Sequence, residues 1–161
     1  MEIRAAEAAD IAAIAPFFRA IVADGESYTY PDDMTDAQIR EAWLAAPPGH
    51  TIVAVVDGVV VGTARMGPNK PGRGNHVGTA SFMVDLASPA RGVGRAMGQW
   101  VIDWHRENGY SAIQFNAVVE TNVRAVALWQ NLGFRIIGTV PRAYRSRTHG
   151  PVGLHIMYLE L

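Results

Sequence analysis

The spacing of apolar residues along the chain predicts a fold in which strands and helices alternate. After a short apolar start around Ile3, apolar residues recur at helical spacing between Asp10 and Gly25, and a second amphipathic stretch follows Thr35. This pattern predicts two helices, with Asp10 and Thr35 as their N-caps. The polar and aromatic segment GESYTYPDDM, residues 25–34, predicts the loop between them.

The rest of the chain predicts a hairpin and then a β-α-β-α-β-β series. Two β-branched runs joined by Asp57-Gly58 predict the hairpin, and PNKPGRGNH after it predicts an exposed connection. The further strands are predicted at VGTASFMV, SAIQFNAVV, FRIIGTV and LHIMYLEL, and the helices at 91–108 and 122–132. Short connections within the central β-α-β unit predict parallel strands there. We therefore expect one mixed α/β domain spanning residues 1–161.

Composition narrows the class of protein. A length of 161 residues suits one domain. With 14 Lys+Arg and 15 Asp+Glu the net charge is close to zero, so the protein as a whole does not attract nucleic acid or anionic lipid electrostatically. There is no cysteine, and the histidines do not have metal-ligand spacing. The first ten residues lack the pattern of a signal peptide, and no eighteen apolar residues run together. We predict a soluble, cytoplasmic protein without a metal and without a nucleic-acid or membrane partner.

The stretch VDLASPARGVGRAMGQW places two glycines between a predicted buried strand and the first turn of a helix. Backbone amides at such a helix start favour an anion, so we expect a phosphate or pyrophosphate on the amides of Gly92, Val93, Gly94, Arg95 and Ala96. The side chains of Arg91 and Arg95 would add charge-assisted hydrogen bonds. The alternative is that the glycines only make a tight turn. Neither the P-loop nor the dinucleotide-binding fingerprint matches this spacing.

Two motifs together resemble the GNAT superfamily of acyl-CoA-dependent N-acyltransferases. Arg91, Gly94 and Ala96 match its first signature, and NVRAVALWQNLGF, residues 122–134, is similar to its second motif. The predicted element order resembles this family over most of the chain, although the N-terminal half contributes topology alone. The resemblance implies a mixed, mostly antiparallel sheet with flanking helices, in which the parallel fourth and fifth strands splay apart.

The resemblance also implies acetyl-CoA as cosubstrate. Its pantetheine arm would lie in the opening between the splayed strands and pair with backbone near Met83 and Val84, and backbone near Met83 would polarise the acetyl carbonyl. The pyrophosphate would sit on the amides of residues 92–96. Asn122 and Trp129 would also contact the cofactor. Independently of the family, Asn122 suits a plain N-cap.

Two residues depart from the family pattern. Many members have a tyrosine acid where this chain has Trp129, whose indole cannot give up a proton at useful pH. Some relatives have a glutamate base where this chain has Ala117. Trp129 either donates a hydrogen bond near the sulfur, walls the pocket, or is simply a core aromatic. The identity of the acid and of the base therefore stays open.

Three polar residues near the end of the fifth strand are the candidates for catalysis. The stretch FNAVVETN is similar to a branch of the family that acetylates small cyclic amino acids such as proline analogues, and paired asparagines are implicated there. We carry that role onto Asn116 and Asn122. Glu120 could accept a proton directly or through water. The alternatives are a strand-end amide held by backbone or water for Asn116 and a solvated loop carboxylate for Glu120.

The family usually forms its acceptor site from the loop between the first two helices and from the segment between the last two strands. In this chain those are residues 25–34 and PRAYRSRTHGPVG, which together carry three acids and three arginines: Glu26, Asp32, Asp33, Arg142, Arg145 and Arg147. Such a set would suit an amino-acid acceptor, unless these are ordinary solvated charges. We predict acetylation of a small-molecule amine by direct attack. Acetylation of a protein amine and a non-catalytic acyl-CoA-binding regulator are the alternatives, and edge strands leave room for a homodimer.

Overall fold

The computed structural model describes all residues from Met1 to Leu161. One mixed sheet has seven strands in the order β1-β2-β3-β4-β5-β7-β6. The strands are β1 Glu2–Ala5, β2 His50–Val56, β3 Val59–Pro68, β4 Val77–Val84, β5 Ala112–Val119, β6 Arg135–Ser146 and β7 Gly150–Glu160. The helices are α1 Ile11–Asp24, α2 Asp36–Trp43, α3 Val93–Glu107 and α4 Val123–Asn131, with short 3-10 turns at Ala8–Asp10 and Gly72–Gly74. The predicted element order and fold class are confirmed.

Local sequence explains where the first two helices begin and end. Gly25 ends α1 in the left-handed conformation with φ 75°, and Thr35 starts α2 with a reciprocal capping box that includes Gln38. The prediction for Asp10 is wrong in one respect, because its side chain does not cap α1. Its carboxylate instead accepts hydrogen bonds from both terminal nitrogens of Arg4, each at 2.8 Å, and this contact holds its pKa below the ordinary value.

The helices cover both faces of the sheet. Alternate residues of β2 point to opposite sides, with Val53 in the cluster built by α1 and α2, and Ile52 and Ala54 in the cluster built with α3. A third cluster joins α4 to β5 and β7. The predicted hairpin is confirmed, with positive φ at both Asp57 and Gly58. The sheet therefore lies between two layers of helices.

Strands β4 and β5 are the parallel pair, and they are joined over a very short length. Their register contains only Val77 with Ala112 and Gly78 with Ile113, after which the two strands separate towards their carboxyl ends. Strand β7 lies between β5 and β6 and is antiparallel to both. Irregularities interrupt the β5–β7 and β6–β7 ladders, but pairing resumes beyond each of them, whereas between β4 and β5 it ends after two residue pairs.

The predicted extent of the last two strands needs correction. The segment PRAYRSRTHGPVG was expected to connect them, but β6 continues to Ser146 and β7 already begins at Gly150. The connection is therefore a tight turn, and Arg142 and Arg145 lie on a strand. None of the four α-helices is long and apolar enough to cross a membrane.

Candidate functional site

The opening between β4 and β5 exposes backbone groups of alternate β4 residues. The amide of Asp85 donates to the carbonyl of Val61 on β3 at 2.9 Å, so odd-numbered residues of β4 direct their peptide groups to β3. Even-numbered residues, including Phe82 and Val84, direct theirs to the opening. Of the two residues predicted to pair with a pantetheine arm, Val84 has suitable backbone groups, whereas the peptide groups of Met83 face β3.

The start of α3 lies at the mouth of this opening. Gly92 adopts φ 76° and precedes the helix without any side-chain cap. The amide of Ala96 donates to the carbonyl of Gly92 at 3.0 Å, so it is used within the helix and is not free as predicted. The amides of Val93, Gly94 and Arg95 have no acceptor within the helix. Three uncapped donors therefore point out of the positive end of α3.

Small residues keep the mouth open. A Cβ added at Gly94 would lie 3.3 Å from Cδ2 of Leu128 on α4 and 3.9 Å from Cγ2 of Val84. Gly94 thus lies between the end of β4 and α4, where a side chain would fill the entrance. Arg91 and Arg95 are exposed, and neither belongs to any of the ion pairs of the protein. Their guanidinium groups are free to bind an anion.

The two candidate asparagines have separate partners and no mutual hydrogen bond. Asn116 is exposed; its amide nitrogen donates to Oδ1 of Asn69 at 2.7 Å, and its Oδ1 accepts from Gln114 at 2.9 Å. Asn122 caps α4, accepting from the amide of Ala125 at 3.2 Å. Asn122 therefore acts as an N-cap, and the Nδ2 group of its side chain remains for a ligand.

Glu120 binds the sheet rather than facing solvent. Its carboxylate accepts a hydrogen bond from the amide of Gly153 on β7, and its own amide donates to the carbonyl of Gly153 at 3.1 Å. The half-buried side chain thus continues the β5–β7 ladder by one residue. The solvated-carboxylate alternative does not fit this contact.

Trp129 belongs to the core. It is only 7% exposed. The centroid of its ring lies 4.6 Å from the ring centroid of Phe82 and 5.0 Å from that of Phe115. Its indole also borders Gly98 on α3, where an added Cβ would lie 3.1 Å from the ring. These contacts fit the core alternative, and the contact with Phe82 places the indole next to a residue whose peptide groups face the opening.

Sequence reasoning missed Tyr28, in the loop between α1 and α2. Its hydroxyl accepts from the amide of Phe82 at 3.0 Å and donates to the carbonyl of the same residue at 2.5 Å. Burial raises the pKa of Tyr28, so the phenol stays protonated at neutral pH. Tyr28 belongs to the segment 25–34 that the family resemblance assigns to the acceptor site, but no spacing in the sequence indicates its contact with β4.

Glu26 ties this loop to the turn between β6 and β7. Its carboxylate accepts from the hydroxyl of Ser146 at 2.6 Å and from both the amide and the hydroxyl of Thr148 at 2.8 Å. These hydrogen bonds, that of Ser146 first, lower the pKa of Glu26. The carboxylate is therefore ionised and already occupied, which argues against its predicted use as a receptor for an ammonium group.

A cavity of about 420 Å³ lies between the same loop and β6. Its lining includes Tyr28, Asp32, Arg145 and Arg147, so one carboxylate and two guanidinium groups share it. Asp33 and Arg142 are not part of this lining. A second cavity of about 350 Å³ borders Asn122 and Arg124 at the start of α4. Both volumes suit small molecules.

Comparison with known proteins agrees with this geometry. The model of the acetyltransferase (GNAT) family matches residues 15–134. A GCN5-related N-acetyltransferase from Kribbella flavida is 56% identical and superposes with a TM-score of 0.96 over 99% of this chain and 97% of that one. The structure of yncA from Salmonella typhimurium, solved with its cofactor acetyl-CoA, is 26% identical in sequence. It superposes with a TM-score of 0.84 over 100% of this chain and 94% of the yncA chain.

Curated relatives match over shorter stretches. The N-acetylaspartate synthetase of Rattus norvegicus is 31% identical over 105 residues, which are 65% of this chain and 34% of that protein. The chain spans between 12% and 43% of the length of the first curated relatives that it matches.

Proposed function

Since the chain belongs to the acetyltransferase (GNAT) family, we propose that residues 1–161 act as one N-acetyltransferase domain, which transfers the acetyl group of acetyl-CoA to the amine of a small amino acid or analogue. The observation that carries this proposal is the opening between β4 and β5. It leads from the peptide groups of Phe82 and Val84 to the three uncapped amides at the start of α3.

The residues around the opening suit acetyl-CoA. The amides of 93–95, with the free guanidinium groups of Arg91 and Arg95, would hold the diphosphate, and the peptide groups of Val84 would pair with the pantetheine arm. The Nδ2 group of Asn122 and the indole wall formed by Trp129 would complete the contacts. Bound acetyl-CoA supplies an activated acyl carbon, and its presence in the yncA structure supports this assignment.

The acceptor would bind from the opposite side, in the cavity between the α1–α2 loop and β6. Asp32 would receive an ammonium group, and Arg145 and Arg147 would receive a carboxylate. A relative named N-acetylaspartate synthetase supports an amino acid as acceptor.

The chain offers no thiol nucleophile, so direct attack by the neutral amine is the route that we propose. Asn116 lies on the face of β5 opposite Phe115, and Phe115 packs towards α4. We therefore assign Asn116 to the acceptor side. Glu120, fixed by Gly153, would act on the amine only through water, and Ala117 leaves no carboxylate within the strand.

An acceptor screen that follows the release of free thiol tests the proposal. We expect free amino acids and their secondary-amine analogues to be acetylated faster than alkylamines and faster than peptides. Faster acetylation of peptide N-termini would favour a protein substrate. Binding of acetyl-CoA by calorimetry without thiol release from any amine would instead favour a non-catalytic acyl-CoA-binding module.

The cavity gives a sharper test with a matched control. Replacing Arg145 and Arg147 by glutamine should raise the KM for an amino acid, leave the KM for acetyl-CoA unchanged, and have little effect on an amine without a carboxylate. Arg142→Gln is the control, because Arg142 lies on β6 with Arg145 but does not line the cavity. Equal effects of the control and of the cavity variants would contradict the proposed acceptor site.

A further inference from the structure

The contact between Tyr28 and Phe82 joins the acceptor side of the protein to the opening in the sheet. Tyr28 belongs to the α1–α2 loop, and Phe82 lies on β4 four residues beyond the last pair with β5. The Tyr28 hydroxyl hydrogen-bonds both peptide groups of Phe82: it accepts from the amide at 3.0 Å and donates to the carbonyl at 2.5 Å. It occupies the place that a neighbouring strand or a ligand would otherwise fill.

The ring of Tyr28 is held in this position from several sides. It stacks on Tyr30 at 5.9 Å between centroids and meets the edge of Trp43 at 6.1 Å. The hydroxyl of Tyr144 donates to the backbone carbonyl of Tyr28 at 3.3 Å. The phenol is therefore preorganised at the edge of the opening and does not depend on loop motion to reach it.

A protonated phenol has one proton to donate. In the structure that proton is directed to the carbonyl of Phe82, which is a neutral acceptor. An acyl oxygen that gains negative charge during attack by an amine is a stronger acceptor than a peptide carbonyl, because charge-assisted hydrogen bonds are stronger than neutral ones. A donor that changes its acceptor at that stage stabilises the transition state more than the ground state.

We propose that Tyr28 is a catalytic residue, whose hydroxyl holds the peptide groups of Phe82 at the opening and hydrogen-bonds the acyl oxygen during transfer. This inference rests on the proposed acetyltransferase function. The phenol keeps its proton throughout. The nitrogen lone pair forms the new C–N bond, the C–S bond breaks with its electrons on sulfur, and the proton lost by the amine nitrogen passes to that sulfur. Tyr28 thereby supplies a hydroxyl that Trp129 cannot.

A purely structural role for Tyr28 makes a different prediction. If the hydroxyl only fastened the α1–α2 loop, removing it should resemble the removal of the Tyr144 hydroxyl, which fastens the same loop without touching β4. Tyr28→Phe and Tyr144→Phe are therefore a matched pair. Both keep the aromatic ring, so the stacking on Tyr30 and Trp43 is retained in the first.

Kinetics on the best amine of the acceptor screen are the first measurement. For Tyr28→Phe we expect kcat to fall by about 100-fold with the KM for acetyl-CoA within about threefold of wild type, as for loss of one donor to an oxyanion. For Tyr144→Phe we expect the main change in the KM for the amine. A kcat of Tyr28→Phe within threefold of wild type, or an equal loss of kcat in both variants, would overturn the proposal.

Hydrogen exchange at the amide of Phe82, followed by NMR, needs no turnover. We expect Tyr28→Phe to exchange this amide at least about tenfold faster than wild type, because the amide loses its acceptor. Acetyl-CoA should restore protection in the variant, because an acyl oxygen within reach of the Tyr28 hydroxyl would also be within reach of the Phe82 amide once the hydroxyl is removed. Coenzyme A without the acetyl group should restore less. Equal protection by the two compounds would place the acyl oxygen elsewhere and overturn the proposal.

The two proposals fail in different ways. If the wild-type protein releases no thiol with any amine, the acetyltransferase function is overturned and the catalytic role of Tyr28 with it. If wild type turns over and Tyr28→Phe does so equally well, only the role of Tyr28 is overturned.

Discussion

The imidazole of His105 lies so close to Gly78 that a Cβ at position 78 would be 2.2 Å from its Cδ2 atom. Gly78 forms the last pair between β4 and β5, with Ile113, and His105 is the completely buried residue that joins α3 to this junction. The imidazole therefore occupies the space that a side chain at position 78 would need, at the point where the two strands stop pairing.

Substituting this glycine should destabilise the protein. Gly78→Ala forces the buried imidazole to move, and overpacking of this kind costs about 1–3 kcal/mol of unfolding free energy. Urea denaturation measures the loss. Gly138→Ala is the control, since a Cβ there meets nothing within 4 Å. An equal loss of unfolding free energy in the two variants would mean that the structure accommodates a methyl group at position 78 and would contradict the prediction.

Stability should fall as the pH drops below neutral. Burial lowers the pKa of His105, and its Nε2 atom has no hydrogen-bond partner in the protein. The unfolded chain therefore binds a proton at a higher pH than the folded protein does, so folding loses free energy from about pH 7 downwards, through the unfolded pKa of about 6.5 towards the lower folded pKa.

Urea denaturation at pH 7.5, 6 and 5 measures this dependence. His105→Asn keeps a donor near the carbonyl of Val101 but does not titrate, so its stability should change less over this range, although it starts lower. His76→Asn, at an exposed position, should retain the pH dependence of wild type. The same slope in wild type and in His105→Asn would assign the effect to another group.

A negative charge at the start of α3 should weaken the binding of acetyl-CoA. Gly94→Asp places a carboxylate among the three uncapped amides and beside Leu128. Like charges repel, so we expect the affinity for acetyl-CoA to fall by more than about tenfold in calorimetry. Gln130→Asp, on the exposed side of α4, adds the same charge and should bind as wild type does. Unchanged affinity in Gly94→Asp would place the diphosphate elsewhere.

Weakening the hydrogen bonds of Glu26 should weaken the binding of the acceptor amine and leave the binding of acetyl-CoA unchanged. Glu26→Gln weakens the hydrogen bonds to Ser146 and Thr148, so the loop and the turn that flank the acceptor cavity would lose their fixed distance. We expect the KM for the amine to rise severalfold, with the KM for acetyl-CoA unchanged.

Asp33→Asn is the control for this prediction, because Asp33 belongs to the same loop and does not line the cavity. The lowered pKa of Glu26 also sets a direction with pH. The tie is fully present above the ordinary carboxyl pKa of about 4.5 and is lost as the pH falls through the lower folded value. A KM for the amine that does not change in Glu26→Gln would show that the turn is held by other contacts.

Local patterns in the sequence were enough to predict most of the fold. The Asp57-Gly58 turn and the capping residue Thr35 each depend on neighbours within a few residues, and the structure has them as predicted. The extent of β6 could not be predicted in this way. Its first half was predicted at FRIIGTV, but the continuation to Ser146 begins with Pro141 and carries Arg142 and Arg145, a composition that indicates a loop more than a strand.

The site was predictable where backbone geometry decides it and not where distant side chains meet. Glycines before a helix indicated the uncapped amides at Val93 and Gly94. The contact of Tyr28 with Phe82 joins residues 54 positions apart, and the tie of Glu26 to Ser146 joins residues 120 apart. Such contacts depend on how the α1–α2 loop folds back over the sheet, and no spacing in the sequence encodes that.

The place of β7 in the sheet has a consequence for synthesis of the chain on the ribosome. Because β7 fills the gap between β5 and β6, the antiparallel edge of β5 stays bare until residues 150–160 leave the exit tunnel. The nascent polypeptide can complete its first four strands early, but the second half of the sheet must wait for its last strand. During that interval the unpaired edge of β5 can form backbone hydrogen bonds with the strand of another chain.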